Sequence, residues 1–300
     1  VITYAWVESI PPDQGDDLAA LLDGAVEYDA EAGFSTANPD RPAAEGARVH
    51  HLLVSMPPRG FRGSPELERL PDVDVVAYLR LDVLDGVGEA ALVVRPEFRS
   101  LGVATLLMER LRDEQDGWAA IPGLTRVAGW SHGVHPAAQR MSWRFGAESG
   151  REVVRTLMGI GGSRPFRPEV AVDGVRRMDG ATFGEPARGH AAAACPADLA
   201  MRDRVATRLV IDEVGVVAVG SGVEGDPEAP ALLELDPAAA PHDKDDLVLL
   251  LSAGAVAAQD GGARLASLYV DATDEVVLHV SRELGFFHDQ TDLRYDLTLG

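Results

Sequence analysis

A short apolar run from Ala90 to Val94 leads into a turn at Arg95-Pro96 and then into Arg99-Ser100-Leu101-Gly102-Val103-Ala104-Thr105. Apolar residues then recur at Val103, Leu106, Leu107 and Leu111. The run predicts a buried strand and the recurrence a helix. A strand, a glycine-bearing turn and a helix N-terminus together make an anion site. The first backbone N–H groups of the helix lack internal partners and sit at the positive end of its dipole. Gly102 and Ala104 carry little bulk where a diphosphate would lie against the backbone, and Arg99 adds charge. A surface helix with an incidental glycine has the same letters, so the flanking elements decide.

Those flanks continue the pattern. Val75 to Leu81 and Gly88 to Val94 read as two strands joined by a turn at Asp85-Gly86. Arg126 to Trp130 reads as a further strand. His135 to Gly146 reads as a helix closed by a C-terminal glycine, and Glu152 to Ile160 as a last strand. The order Arg-x-x-Gly-x-Ala, inside a hairpin, helix, strand, helix and strand, resembles the pyrophosphate loop and core of the GNAT acyl-CoA N-acetyltransferases. The resemblance implies acetyl-CoA as co-substrate, held by Leu92, Val93 and Val94 on the strand and by Arg99, Ser100, Leu101, Gly102, Val103, Ala104 and Thr105 in the loop.

Three hundred residues are ample for two cores, and 46% apolar content is ordinary for a globular chain. No run approaches the roughly 18 apolar residues of a membrane span, and no signal peptide is visible at Val1 to Trp6. Cys195 is the only cysteine, which excludes an intrachain disulfide and a cysteine-based zinc site. A reducing cytoplasm is the expected compartment. The formal charge of −21 argues against nucleic acid or an anionic membrane as partner. The expected partner is a small-molecule amine, with no metal, and the chain is expected to be a monomer. An acidic protein that binds a polyanion must concentrate positive charge locally, and Arg95, Arg99, Arg110 and Arg112 cluster around the loop and its helix, although Arg110 and Arg112 also suit solvated helix positions.

The chain contains an internal duplication. Leu92-Val93-Val94-Arg95-Pro96 matches Leu233-Glu234-Leu235-Asp236-Pro237, each an apolar strand ending at proline before a leucine-rich helix. Gln139 to Gly146 matches Leu278 to Gly285, and an arginine follows each glycine nine residues on, Arg155 and Arg294. Residues 163–169, rich in proline, read as a linker between an N-terminal domain over 1–162 and a C-terminal domain over 170–300. The fold class expected is α/β in layers, with two tandem GNAT-like domains, each a mixed, mostly antiparallel sheet flanked by helices. The second copy lacks the loop. After Asp236-Pro237 come Pro241, His242, Asp243, Asp245 and Asp246, where like charges would repel a diphosphate. A solvated acidic helix start explains these residues better than a metal site.

The whole chain resembles the mycothiol synthase family of tandem-GNAT enzymes, through Ala266 to Asp274 with Leu284-Gly285-Phe286, and through His135-Pro136-Ala137. The resemblance implies acetyl transfer to the cysteinyl amine of cysteinyl-glucosaminyl-inositol, and contacts to substrate and cofactor from Tyr269 and Asp274. It departs where that family does its chemistry. The second-domain loop is missing, the family's glutamate base falls near Ala229, and its tyrosine acid falls at Ser281. Either the first domain carries the reaction, or the acceptor differs, or the chain holds acyl-CoA without turnover.

Amine acetylation needs a deprotonated amine, a polarised thioester carbonyl and a protonated leaving thiolate. In the GNAT fold that carbonyl takes a backbone N–H at Val93 or Val94. Glu89 begins the same strand, where a base acts directly or through water; an exposed strand-start glutamate is the structural alternative. His132 and His135 lie beyond a strand end and are candidates for base or acid because imidazole can serve as either, though both also suit a plain loop. Ser142 matches the family's helix tyrosine but is a poor acid, and it suits helix packing. Asp16 to Tyr28 predicts an amphipathic helix that helps form the acceptor wall. Glu27, Asp29 and Glu31 could bind an amine or hydroxyls there, or form a solvated acidic loop. Val49 to Met56 predicts a strand, and Pro57 to Pro71 a flexible loop.

Overall fold

The computed structural model describes residues 2–30, 37–40, 42–113, 115–163, 165–172, 174–181, 206–220, 229–235 and 243–300. These divide into two compact units. The first is Val1–Gly150 with Arg294–Gly300, and the second is Arg151–Leu293.

In the first unit, strands β1 (Thr3–Val7), β2 (Arg48–Ser55), β3 (Ala77–Leu84), β4 (Val87–Val94) and β5 (Arg126–Ser131) lie side by side in chain order. Successive pairs are antiparallel except β4 and β5, which run parallel. The β3–β4 hairpin turns at Asp85 and Gly86, whose φ values of 49° and 79° fit the tight turn that matches strand twist. Alternation along β2 sorts the core. Leu52 and Val54 pack toward helix α2 (Val103–Asp113), with its buried Val103, Leu107 and Leu111. Leu53 packs on the other face with Tyr78, Val93 and residues Leu18, Leu21 and Ala25 of helix α1 (Pro12–Ala30). Helix α3 (Pro136–Phe145) follows β5.

The second unit contains β6 (Glu148–Gly159), β7 (Arg176–Ala181), β8 (Ala206–Ile211), β9 (Gly215–Gly220), β10 (Ala231–Leu235) and β11 (Leu265–Asp271), in the order β6-β11-β10-β9-β8-β7. Helices α4 (Lys244–Asp260) and α5 (Glu275–Glu283) complete it. Its parallel pair, β10 and β11, corresponds to β4 and β5. Gly254 of α4 lies so close to the sheet that a Cβ there would meet Leu233 at 3.3 Å and Val217 at 3.4 Å. Phe166, in the proline-rich segment read as a linker, packs against this unit's core.

The duplication is visible atom by atom. Ser142 Oγ donates to Gln139 C=O at 2.8 Å, and Ser281 Oγ donates to Leu278 C=O at 3.0 Å. The N–H groups of Ala147 and Phe286 donate to the carbonyls of Ser142 and Ser281, both at 2.9 Å. Both helices end at a left-handed glycine, Gly146 and Gly285. The closing strands are exchanged between repeats. Strand β6 ends the first repeat but pairs with β11 of the second. Strand β12 (Phe287–Thr298) ends the second repeat, yet from Arg294 onward it belongs to the first unit beside β5. Leu299 N–H donates to Thr125 C=O at 2.9 Å there.

The expected flexible loop between β2 and β3 is instead wound around one cation. The Arg62 side chain is wholly buried. It donates to the carbonyls of Pro57, Leu67, Leu70 and Pro71 and pairs with Asp72 at 2.9 Å. Glu68 accepts from the amides of Gly60 and Arg62, which hold its carboxyl below the usual range. Glycine and proline content signals a loop but says nothing of an internal arginine that satisfies its carbonyls. Arg62→Met should destabilise the protein by about 2–4 kcal/mol, because the buried carbonyls lose their donor. Urea denaturation monitored by fluorescence measures this; a loss under half a kcal/mol would mean that the loop is held by other contacts.

Candidate active site

The parallel ladder between β4 and β5 ends at Ala90 and Gly129, although β4 runs on to Val94 and β5 to Ser131. On its other edge β4 stays paired with β3 through Val94. Arg95 N–H donates to Val76 C=O at 2.9 Å, beyond the end of that ladder. Backbone groups alternate along a strand, so the Val93 amide also faces β3. The amides of Leu92 and Val94 face the opposite way, toward the gap that β5 leaves. Of the two amides expected to polarise a thioester, the Val94 amide faces the opening and Leu92 supplies its companion. The Val93 side chain is core, packed on the α1 face.

The opening runs to the loop before α2. Pro96–Phe98 form one tight helical turn anchored by the buried Phe98. Arg99 is extended, and its Nε donates to Val94 C=O at 2.9 Å. Ser100 and Gly102 then both turn left-handed, with φ of 61° and 80°. That conformation is unusual for serine and natural for glycine. A Cβ built on Gly102 meets nothing within 4 Å, so the backbone there borders open space. The first helical bond runs from Leu106 N–H to Gly102 C=O at 2.9 Å. The amides of Val103, Ala104 and Thr105 precede it and have no acceptor within the helix. Left-handed turns, an open approach and unspent helix amides suit a diphosphate.

Three of the four arginines expected around this loop are committed elsewhere or lie apart. Arg95 is buried and reaches back to α1, with Asp17 Oδ1 at 2.7 Å. Arg110 donates to Ile2 C=O at 2.7 Å. Arg112 is exposed, beside Asp113 on the last turn of α2. Arg99 is the arginine seated in the loop.

The α1 face of the sheet carries a row of polar groups. Arg80 Nε pairs with Asp82 Oδ1 at 2.7 Å, and Arg80 Nη1 donates to the carbonyls of Asn38 and Pro39 at 2.8 Å. His51 Nδ1 lies 2.7 Å from Tyr78 Oη. Burial first, and then nearby Arg80, push the His51 pKa down, so its ring is neutral. Glu89 stands directly across from Asp82 and beside Ala128 of β5, just before the ladder ends. Its Oε1 pairs with Arg294 Nη1 at 2.5 Å.

The remaining expected residues are placed as follows. His135 caps α3, its Nδ1 accepting from Ala137 N–H at 3.2 Å, with Pro136 in the first helical turn. His132 lies in the turn after β5. Tyr269 and Asp274 belong to the second unit. Tyr269 is buried and bonded to Arg155, which also holds Asp289 at 2.5 Å. Asp274 caps α5 through Val277 N–H at 3.3 Å. Glu27 lies on α1, and Glu31 falls outside the described residues. In the second repeat the segment matching the donor loop, 236–242, also lies outside them. The helix that follows begins under Asp243, whose carboxylate accepts from Asp245 N–H at 2.8 Å. The described residues hold no cluster of three or more His, Cys, Asp or Glu suited to a metal. None of their helices is long and apolar enough to cross a membrane.

Sequence reading missed Asp82, His51, Tyr78 and Arg294 at this site. Arg80 and Asp82 are polar residues alternating with Leu79, Leu81 and Val83 in an apolar strand, a usable signal. Nothing near Arg294 in sequence points to a partner at Glu89.

No family model matches the chain. A mycothiol acetyltransferase of Saccharomonospora viridis is 35% identical over 155 residues, which span 50% of this chain and 43% of that relative. The chain thus matches under half of that relative's length. A mycothiol acetyltransferase of Paenarthrobacter aurescens is 28% identical over 309 residues, covering 93% of this chain and 91% of the relative. Among solved structures, a tandem GNAT protein from the clavulanic acid biosynthesis pathway aligns over 100% of this chain and 99% of its own, with a TM-score of 0.61 and 15% identity. That likeness gives the fold, two GNAT-type repeats in one chain.

Proposed function

We propose that this chain, similar to mycothiol acetyltransferases in sequence and to a tandem GNAT protein in fold, transfers an acetyl group from acetyl-CoA to a small-molecule amine in its first unit. The acceptor we infer is the cysteinyl amine of cysteinyl-glucosaminyl-inositol, and the compartment is the cytoplasm. The observation that carries this reading is the left-handed Ser100 and Gly102 turn opening onto unspent α2 amides, next to the uncovered edge of β4. Acetyl-CoA supplies an activated acyl thioester. The chain's part is to bind and orient it. The amides of Val103, Ala104 and Thr105, with Arg99, take the diphosphate. The amides of Leu92 and Val94 lie along the strand edge, and one of them donates to the thioester carbonyl as charge develops on its oxygen. Glu89 takes the proton from the acceptor ammonium, directly or through water.

The direct test is release of free CoA thiol that depends on the acceptor, comparing the cysteinyl aminoglycoside with ordinary amines. Thiol release with none of them would defeat the reading. A second reading, another amine as acceptor, is favoured by the departures in the second repeat, with Ala229 and Ser281 where the family has its glutamate and tyrosine. The same comparison of acceptors decides between the two.

Glu89→Gln keeps size and hydrogen bonding but removes the basic carboxylate. Turnover should fall by about 10²–10⁴-fold while acetyl-CoA affinity is kept. The deficit should shrink at high pH, where more of the amine is already neutral. A pH–rate profile with one acceptor checks this. An unchanged profile would take the role from Glu89 and pass it to His132, since the His135 Nδ1 is engaged as a helix cap.

A further inference from the structure

We propose that Arg294, delivered by the exchanged strand β12, is a positioning residue that keeps Glu89 ionised and aimed at the first unit's site. The inference rests on the reading of Glu89 as proton acceptor. Glu89 sits at the apex of the β4–β5 opening, one residue before the ladder ends. Directly opposite it on β3 is Asp82, a like charge. Arg80 offsets Asp82 at 2.7 Å. Arg294 offsets Glu89 at 2.5 Å, with the two side chains 22% and 34% exposed. Behind Arg294 stands Asp296 of β12 at 3.4 Å, and behind Asp296 stands Arg126 of β5 at 3.6 Å. Charges thus alternate around the carboxylate, and a cation paired with it comes from the other end of the sequence. A guanidinium at this distance does two things. It stabilises the charged form of Glu89, and it fixes the orientation of the carboxylate.

The test compares pH profiles of kcat/KM for the full-length protein, Arg294→Met, Arg294→Lys and Glu89→Gln, with calorimetric titration of acetyl-CoA for each. In Arg294→Met the acid limb should move up by about 0.5–1 pH unit, the discount reflecting partial exposure. Arg294→Lys should recover part of that shift, and acetyl-CoA affinity should stay within about twofold, as the donor loop is untouched. Asp296→Asn acts on the same guanidinium from its far side. It should move the limb down, and it serves where Arg294→Met does not fold. An acid limb that stays in place in a folded Arg294→Met, or in Asp296→Asn, overturns the inference. A limb that persists in Glu89→Gln overturns instead the reading of Glu89 on which it rests, so the two failures are told apart.

Discussion

Gly102→Glu should abolish acetyl-CoA binding, and wild-type protein should bind one equivalent. Three effects act together in the substitution. At a φ of 80° any L side chain carries a backbone penalty, about 1–2 kcal/mol. The side chain fills the open approach above the loop, where a Cβ now meets nothing. A carboxylate then faces a polyanion at a helix N-terminus that had favoured negative charge. The combined loss should be roughly 100-fold or more in affinity. Gly102→Ala separates the causes, since it keeps the backbone penalty without the charge, and it should bind with only a modest loss. A single site is expected because the corresponding helix in the second repeat starts beneath Asp243, with Asp245 and Asp246 in its first turn. Calorimetry with two equal sites, or with full binding in Gly102→Glu, would refute this.

Deleting Arg294–Gly300 should disable the first unit although every residue from Val1 to Gly150 is retained. The deletion removes the segment beside β5, the Leu299 to Thr125 backbone bond and Arg294, which pairs with Glu89. It leaves an open sheet edge on β5, which invites pairing with other chains. We expect a melting temperature lower by roughly 10 °C or more, or aggregation on expression. A fragment ending near residue 165 should be insoluble or inactive for the same reason. A soluble, fully active fragment would show that the first unit is complete without the exchanged strand.

Much of this architecture was legible because it is local. The Asp85-Gly86 turn, the apolar spacing of α2, the proline and glycine that bound α3 and the matched helix ends of the two repeats are each written within a dozen residues. The left-handed turn before α2 was legible for the same reason, since Gly102 and the strand before it are neighbours in sequence. What failed to show was set by tertiary partners. Arg95 and Arg110 looked like loop charges, yet each spends its donors on distant backbone, at Asp17 and Ile2. The loop from Pro57 to Pro71 looked loose because composition cannot reveal that Arg62 saturates its carbonyls. Arg294 could be matched to Arg155 by spacing alone, but its pairing with Glu89 follows from a strand exchange that no local pattern encodes.

That exchange also sets the order in which the chain can fold as it is made. Domains ordinarily fold as units while synthesis proceeds, the N-terminal one first. Here Val1–Gly150 emerges without the strand segment that borders β5. At roughly 5–20 residues per second, the intervening Arg151–Leu293 takes on the order of ten seconds to appear. During that interval the edge of β5 is unclosed and Arg294 is not yet there to pair with Glu89. The first unit is therefore complete only once the second repeat has been translated, so the far half of the message sets when the near half can close.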